Sequence, residues 1–233
     1  MQNYSISTPR SRVEVLNAFM RGVYQWMGLG LLLTAGVAWA MSSSSMAEIV
    51  YGNSFLFFGL IIAELILVFV ISGAINRLSS AMASGLFLLY SALNGVTLSY
   101  IFIVYSKTSI GSTFVVCSAM FGAMSVYGLV TKKDLTSMGS FMFMGLIGIV
   151  IASVVNIFLK SSAMSFIISG IGVIVFTALT AYDTQKLMLM GESVPADDGT
   201  AVRRGVILGA LTLYLDFINL FLMLLRFFGG SKD

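Results

Sequence analysis

The stretch VILGALTLYLDFINLFLMLLRFF, residues 206–228, carries only two charges, Asp216 and Arg226. A bilayer core of about 30 Å is crossed by about 20 apolar residues in a helix. A helix also satisfies its own backbone hydrogen bonds in lipid. The run lacks the alternation of a transmembrane strand, so it reads as a membrane-spanning helix. If that helix starts near Ile207, Asp216 lies ~14 Å inside it at 1.5 Å per residue. Thr212 and Asn219 stand four before and three after Asp216, which puts all three on one face. A polar stripe on an otherwise Leu- and Phe-rich helix belongs inside a bundle or beside a water-lined cavity.

The rest of the chain reads the same way. Of 233 residues, 58% are hydrophobic and 10% charged, against roughly 25% charged in a soluble domain. Candidate helices run over about 22–41, 54–75, 81–104, 111–130, 138–159, 163–190 and 206–228. Residues 1–21 form a cytoplasmic N-terminal segment and 22–233 a single all-α polytopic bundle. Within the first segment, 10–21 is weakly amphipathic and suits the membrane surface. Gly52-Asn53 and Gly111-Ser112 suggest loops or caps, and Lys132-Lys133-Asp134 a tight turn. Residues 191–205, with Pro195, Asp197 and Asp198, form the one long hydrophilic loop. Ala38-Trp39-Ala40 resembles a cleavage site, but the preceding apolar run is too long for a signal peptide. Small residues at Ser118/Gly122, Gly145/Gly148 and Ser169/Gly170/Gly172 suit close helix packing.

Composition also excludes functions. With no histidine there is no Ser-His or Cys-His catalytic pair, and a lone Cys117 gives no thiolate zinc site. The net charge of +3 gives no ground for nucleic-acid binding. Loop charge sets orientation. With the N-terminus inside, the inner side holds Arg10, Arg12, Arg21, Arg77, Lys132, Lys133, Lys186, Arg203 and Arg204. The outer side holds Lys107, Lys160, Arg226 and Lys232. This favours a cytoplasmic N-terminus, provided that the last helix spans fully.

Charges at bilayer depth are costly and need a reason. They are Glu64, Asp183, Lys186, Asp216 and Arg226, with Arg77 just past the second run. Lys186 and Arg226 lie near helix ends and can snorkel. Glu64 needs a proton or a polar partner, as structural glue or as part of an ion path. Asp183 lies ~10 Å inside the sixth run, measured from the same face as Asp216, with Thr180 three residues before it. The sixth and seventh helices are consecutive and antiparallel, so the two carboxylates can meet. Two carboxylates at low dielectric share a proton rather than both ionise. The pair is then either a proton-sensitive switch, which a cation such as Arg77 would bias, or a passive interhelical hydrogen bond.

The strings Thr180-Ala181-Tyr182-Asp183-Thr184-Gln185-Lys186 and Leu211-Thr212-Leu213-Tyr214-Leu215-Asp216-Phe217-Ile218-Asn219-Leu220-Phe221 resemble the Bax inhibitor-1 family, and its bacterial inner-membrane members most closely. Leu224-Leu225-Arg226-Phe227-Phe228-Gly229, Phe121-Gly122-Ala123-Met124-Ser125 and Thr131-Lys132-Lys133-Asp134-Leu135 fit too. The resemblance implies six helices, in two layers of three, around a central C-terminal helix. It implies a pH-sensitive calcium leak with Asp183 and Asp216 as the aspartyl pair. An arginine ending the second helix latches that pair in the family, and Arg77 is the candidate here. Glu64 falls where related chains carry an acid. The chain departs from many relatives at Asn94-Gly95-Val96, where they have Gly-Pro, and this puts a proline kink in the third helix in doubt.

The first expectation is therefore a cation leak through the inner membrane, with calcium as the permeant ion. Asp183 and Asp216 would meet that ion, and Glu64, Thr180, Thr212 and Asn219 would line or support the path. No cofactor is expected. The alternative is a regulator that binds other membrane proteins, such as a membrane protease or a quality-control complex. An intramembrane aspartyl protease is disfavoured, because Asp216 lies in Tyr-Leu-Asp and not in Gly-x-Gly-Asp.

Overall fold

In a computed structural model, residues 12–195 and 198–230 are described. Arg10, Asp197 and Lys232, used above, lie outside them. The helices are α1 (Arg12–Ser42), α2 (Ser45–Gly52), α3 (Ser54–Ala74), α4 (Ser80–Leu98), α5 (Ile101–Val104), α6 (Lys107–Val130), α7 (Thr136–Leu159), α8 (Ser162–Ser193) and α9 (Gly199–Phe228). A 3-10 turn, Ile75–Arg77, extends α3. Among the described residues there is no strand, and seven helical segments are long and apolar enough to cross a membrane. The chain is an all-α polytopic bundle.

The bundle is built around α9. Its Ile207, Leu211, Leu213, Tyr214, Leu220, Leu224 and Leu225 are almost fully buried. Helices α1, α3, α4, α6 and α8 pack on it, and α7 packs on α8. The most apolar helices, α3 and α7, are instead the least buried. Their Phe55, Phe69 and Phe158 are 85%, 74% and 81% exposed. Such apolar patches are untenable in water and ordinary against lipid. Helix α9 keeps its polar groups because the other helices shield it from hydrocarbon.

Several boundaries differ from the sequence reading. The first helix is already formed at Arg12, ten residues before the expected span, and runs unbroken into it. Phe19 and Met20 are buried in the core, with the Phe19 ring against Gly191 and Gly205. The long hydrophilic loop shrinks because α8 continues to Ser193 and α9 begins at Gly199. Asp198 Oδ1 caps α9, accepting from the backbone N–H of Thr200 and Ala201 at 2.9 Å each. Arg204 Nε then donates to the Leu78 carbonyl, and the Arg203 guanidinium lies 5.0 Å from the Trp26 ring centroid. Gly111-Ser112 is helical, not a loop, because Ser106 caps α6 earlier. Asn53 does cap α3. The third run breaks without proline. Helix α4 ends at Leu98, and Tyr51 OH and Ser99 Oγ both donate to the Val96 carbonyl, at 2.8 and 2.7 Å.

Close packing falls partly where the small residues suggested. A Cβ on Gly172 would meet Met223 and one on Gly145 would meet Val175, whereas Gly122 and Gly148 face open space. The tightest approach between two helices is at Gly128 of α6, where a Cβ would collide with the Ala181 carbonyl oxygen of α8. Backbone cannot step aside as a side chain can. Gly128→Leu is therefore expected to cost about 1–3 kcal/mol, read as a lower thermal midpoint in detergent.

Candidate functional site

Helices α7, α8 and α9 line an open cavity of about 680 Å³. Asp183 and Lys186 of α8 line it, with Thr212, Asp216 and Asn219 of α9 and Gly139 and Ser140 of α7. The register is simple. Asp183 and Lys186 are three apart on α8, and Thr212, Asp216 and Asn219 are four and three apart on α9, so each set shares one helix face. The two aspartate carboxyl groups adjoin and act on each other directly. Asp216 is 5% exposed, and its Oδ2 is buried with no hydrogen-bond donor. An ionised carboxylate only accepts hydrogen bonds. With Asp183 as its neighbour, a proton held between the two is the simplest way to satisfy that oxygen.

The other polar groups divide. Thr212 Oγ1 donates to Leu208 O at 3.1 Å and Asn219 Nδ2 to Leu215 O at 2.8 Å. Their oxygens keep lone pairs that can face the cavity. Thr180 does not line it: it is fully buried and donates to Phe176 O at 2.8 Å. Lys186 lines the same cavity, its charge acts on Asp183, and its ammonium lies 5.8 Å from the Tyr182 ring centroid. Snorkelling therefore does not take it away from the carboxylates. Arg77 is exposed at the end of the 3-10 turn and lines neither this cavity nor that of Glu64. The expected latch is not among the residues that line the pair's cavity. The cation in place is Lys186.

Glu64 is also apart from the aspartates. It lines a separate cavity of about 480 Å³ with Asn94, Thr97, Tyr105 and Arg226. Thr97 Oγ1 donates to Glu64 Oε1 at 2.8 Å and Asn94 Nδ2 to Oε2 at 3.2 Å. Asn94 Oδ1 accepts from Tyr214 OH at 3.1 Å. Thr34 Oγ1 lies 2.6 Å from Tyr214 OH and 2.8 Å from the Ser91 carbonyl oxygen. This chain of polar groups joins α3, α4, α9 and α1, and the sequence reading missed all of it but Glu64. The available signal was weak: Asn94 and Thr97 stand three apart in an apolar run.

The turn between α6 and α7 is tied to α8 by one side chain. Gln185 of α8 is buried, donates to Lys133 O at 2.8 Å and accepts from Leu135 N at 2.9 Å. It fixes the turn that starts α7. In that turn Asp134 accepts from Thr136 N at 2.8 Å, and the hydrogen bonds from Thr136 hold its carboxyl below the usual carboxylate value. That contribution is present above the ordinary aspartate range and is lost as pH falls below it. Gln185→Ala would strand two backbone groups at about 1–3 kcal/mol for each that stays buried. Its expected effect is a lower thermal midpoint and faster proteolysis at 131–135.

Calcium takes six to eight oxygen ligands in a resident site. Among the described residues no group of three or more His, Cys, Asp or Glu is placed to hold a metal. The pair with Thr212 and Asn219 is a sparse set of hard oxygen donors, suited to brief contact with a cation more than to retention.

The family model described as "Inhibitor of apoptosis-promoting Bax1" matches residues 16–233. The chain is 56% identical to "Inner membrane protein YbhL" of Escherichia coli K12 over 229 residues, 98% of this chain and 97% of that one. It is 47% identical to an uncharacterized protein of Borreliella burgdorferi, over 98% of each chain. An uncharacterized protein of Deinococcus radiodurans is 44% identical, over 97% of this chain and 96% of that one. On the aspartate-bearing strings, the seven spans and these matches, the chain belongs to the Bax inhibitor-1 family.

Proposed function

We propose that this protein is a pH-responsive cation leak of the bacterial inner membrane, with calcium as a permeant ion and its N-terminus in the cytoplasm. The observation that carries this reading is the adjoining Asp183–Asp216 pair in a cavity between α7, α8 and α9. Hard oxygen donors suit a hard divalent cation, and acidic groups on a bundle interior select cations. A shared proton ties α8 to α9; loss of that proton sets two negative charges face to face. Uptake or release of one proton therefore changes both the charge met by an ion and the contact between two helices. Among the described residues lining the cavity, Lys186 is the other charged group and Tyr182 the remaining titratable one. Glu64 supplies a second acidic station in its own cavity. The inner-membrane assignment draws on the name of the Escherichia coli relative, and the orientation on loop charge.

The activity assigned is passage of ions, with no covalent chemistry, no cofactor and no nucleic acid. Purified protein in liposomes tests it, with calcium entry followed by a trapped dye from pH 5 to 9. The reading expects flux above protein-free vesicles that varies with pH. Flux equal to that of empty vesicles at every pH overturns it and favours a regulator that acts by binding other membrane proteins.

A further inference from the structure

A cavity of about 600 Å³ lies at the turn between α7 and α8, apart from the aspartate pair and joined to the Glu64 cavity only through Arg226, which lines both. Two cations line it: Lys160 in the turn and Arg226 in the last turn of α9. Asn156 and the hydroxyl-bearing Ser153, Ser161 and Ser165 line it as well, and among the described residues that line it there is no carboxylate. Lys160 is held there by the backbone. It ends α7 in the left-handed conformation, φ 50°, the one such non-glycine residue described. Asn156 fixes the turn from both sides: its Oδ1 accepts from Ser161 N at 3.1 Å and its Nδ2 donates to Ser165 Oγ at 2.7 Å.

Two cations and several hydroxyls, with no carboxylate among the described residues lining the same cavity, form a receptor for an anion with several oxygens. Location decides which anion. The turn joins two membrane-spanning helices, so it lies at the boundary between hydrocarbon and water. Directly beside it Phe158, Leu159, Phe166 and Ile167 are 81%, 60%, 55% and 54% exposed. A free phosphate uses only the polar cavity. A phospholipid uses both parts, with its phosphate between the cations and its acyl chains along the exposed apolar side chains. We propose that this cavity binds the phosphate headgroup of an anionic phospholipid, held by Lys160 and Arg226 and oriented by the serine and asparagine groups. Charge near a membrane surface attracts anionic lipid, and a cavity that gathers two such charges with hydrogen-bond donors adds geometry to that attraction.

Native mass spectrometry of the full chain tests this, with phosphatidylglycerol and phosphatidylcholine offered in equal amounts. Wild type is expected to retain phosphatidylglycerol over phosphatidylcholine by about tenfold. The double variant Lys160→Asn/Arg226→Gln is expected to lose that preference; Asn tolerates the left-handed backbone, and both side chains it replaces are exposed. Lys160→Arg keeps the charge and is expected to keep the preference, which separates charge loss from misfolding. Equal retention of the two lipids by wild type, or an unchanged preference in the double variant, overturns the proposal. Displacement of phosphatidylglycerol by millimolar inorganic phosphate assigns the cavity to a free anion and overturns the lipid assignment.

Discussion

Asp216→Asn in liposomes is expected to flatten the pH dependence of calcium flux. A gate set by one proton changes its open fraction by at most about tenfold per pH unit. Asn is close to Asp in shape but does not titrate, so the variant keeps the packing of α9 and removes the shared proton. Asp183→Asn is expected to act alike, and the double variant no further, because the proton belongs to the pair and not to either residue. Lys186→Gln tests the same geometry in another way. Its charge acts on Asp183, so its removal is expected to move the midpoint of the response to higher pH. Arg77→Gln, at an exposed residue that does not line the cavity, is expected to leave the midpoint in place. Variants that lose flux altogether are checked by thermal unfolding before they are read as gating effects.

The second large effect is on stability. Tyr214 is fully buried in α9. Its ring packs edge-on against Phe87 and Tyr90, with centroids 5.9 and 5.6 Å away. Its hydroxyl meets Asn94 and Thr34. Truncation of a buried aromatic costs about 3–5 kcal/mol. Within a membrane the loss is one of packing and hydrogen bonds more than of water exclusion. Tyr214→Ala is therefore expected to lower the thermal midpoint in detergent sharply. Tyr214→Phe keeps the ring but leaves Asn94 Oδ1 short of a donor, at about 1–3 kcal/mol. If Phe is as costly as Ala, the ring packing is not the main contribution. If Phe is neutral, the polar chain from Glu64 is not structural.

Periodicity and composition made the architecture readable before any coordinates. Seven apolar runs can be seen because lipid forces each helix to be apolar over its crossing length. Helix ends were harder. Arg12–Arg21 reads as a weakly amphipathic surface segment and Gly199–Gly205 as loop, yet the core held by Phe19 and the cap from Asp198 continue both helices. The aspartates could be found because a lone carboxylate in an apolar run is conspicuous, and helical spacing put Thr212 and Asn219 beside one of them. Arg77 could not be placed in this way. Its proximity in sequence to a helix end says nothing of where the next turn takes it, and Lys186, read as snorkelling, lies on the cavity instead. The chain from Glu64 through Asn94 and Tyr214 to Thr34 depends on four helices meeting at one level, which no single run reveals. Gln185 likewise gains its meaning only from backbone groups about 50 residues away.

The most direct test counts the proton. Infrared difference spectra of reconstituted protein, taken across the pH range of the flux response, resolve the carbonyl stretch of a protonated carboxylic acid. The account predicts one such band that titrates with flux, vanishes in Asp183→Asn and in Asp216→Asn, and survives Glu64→Gln. A band that persists in both aspartate variants, or two fully ionised aspartates at every pH at which flux changes, contradicts it.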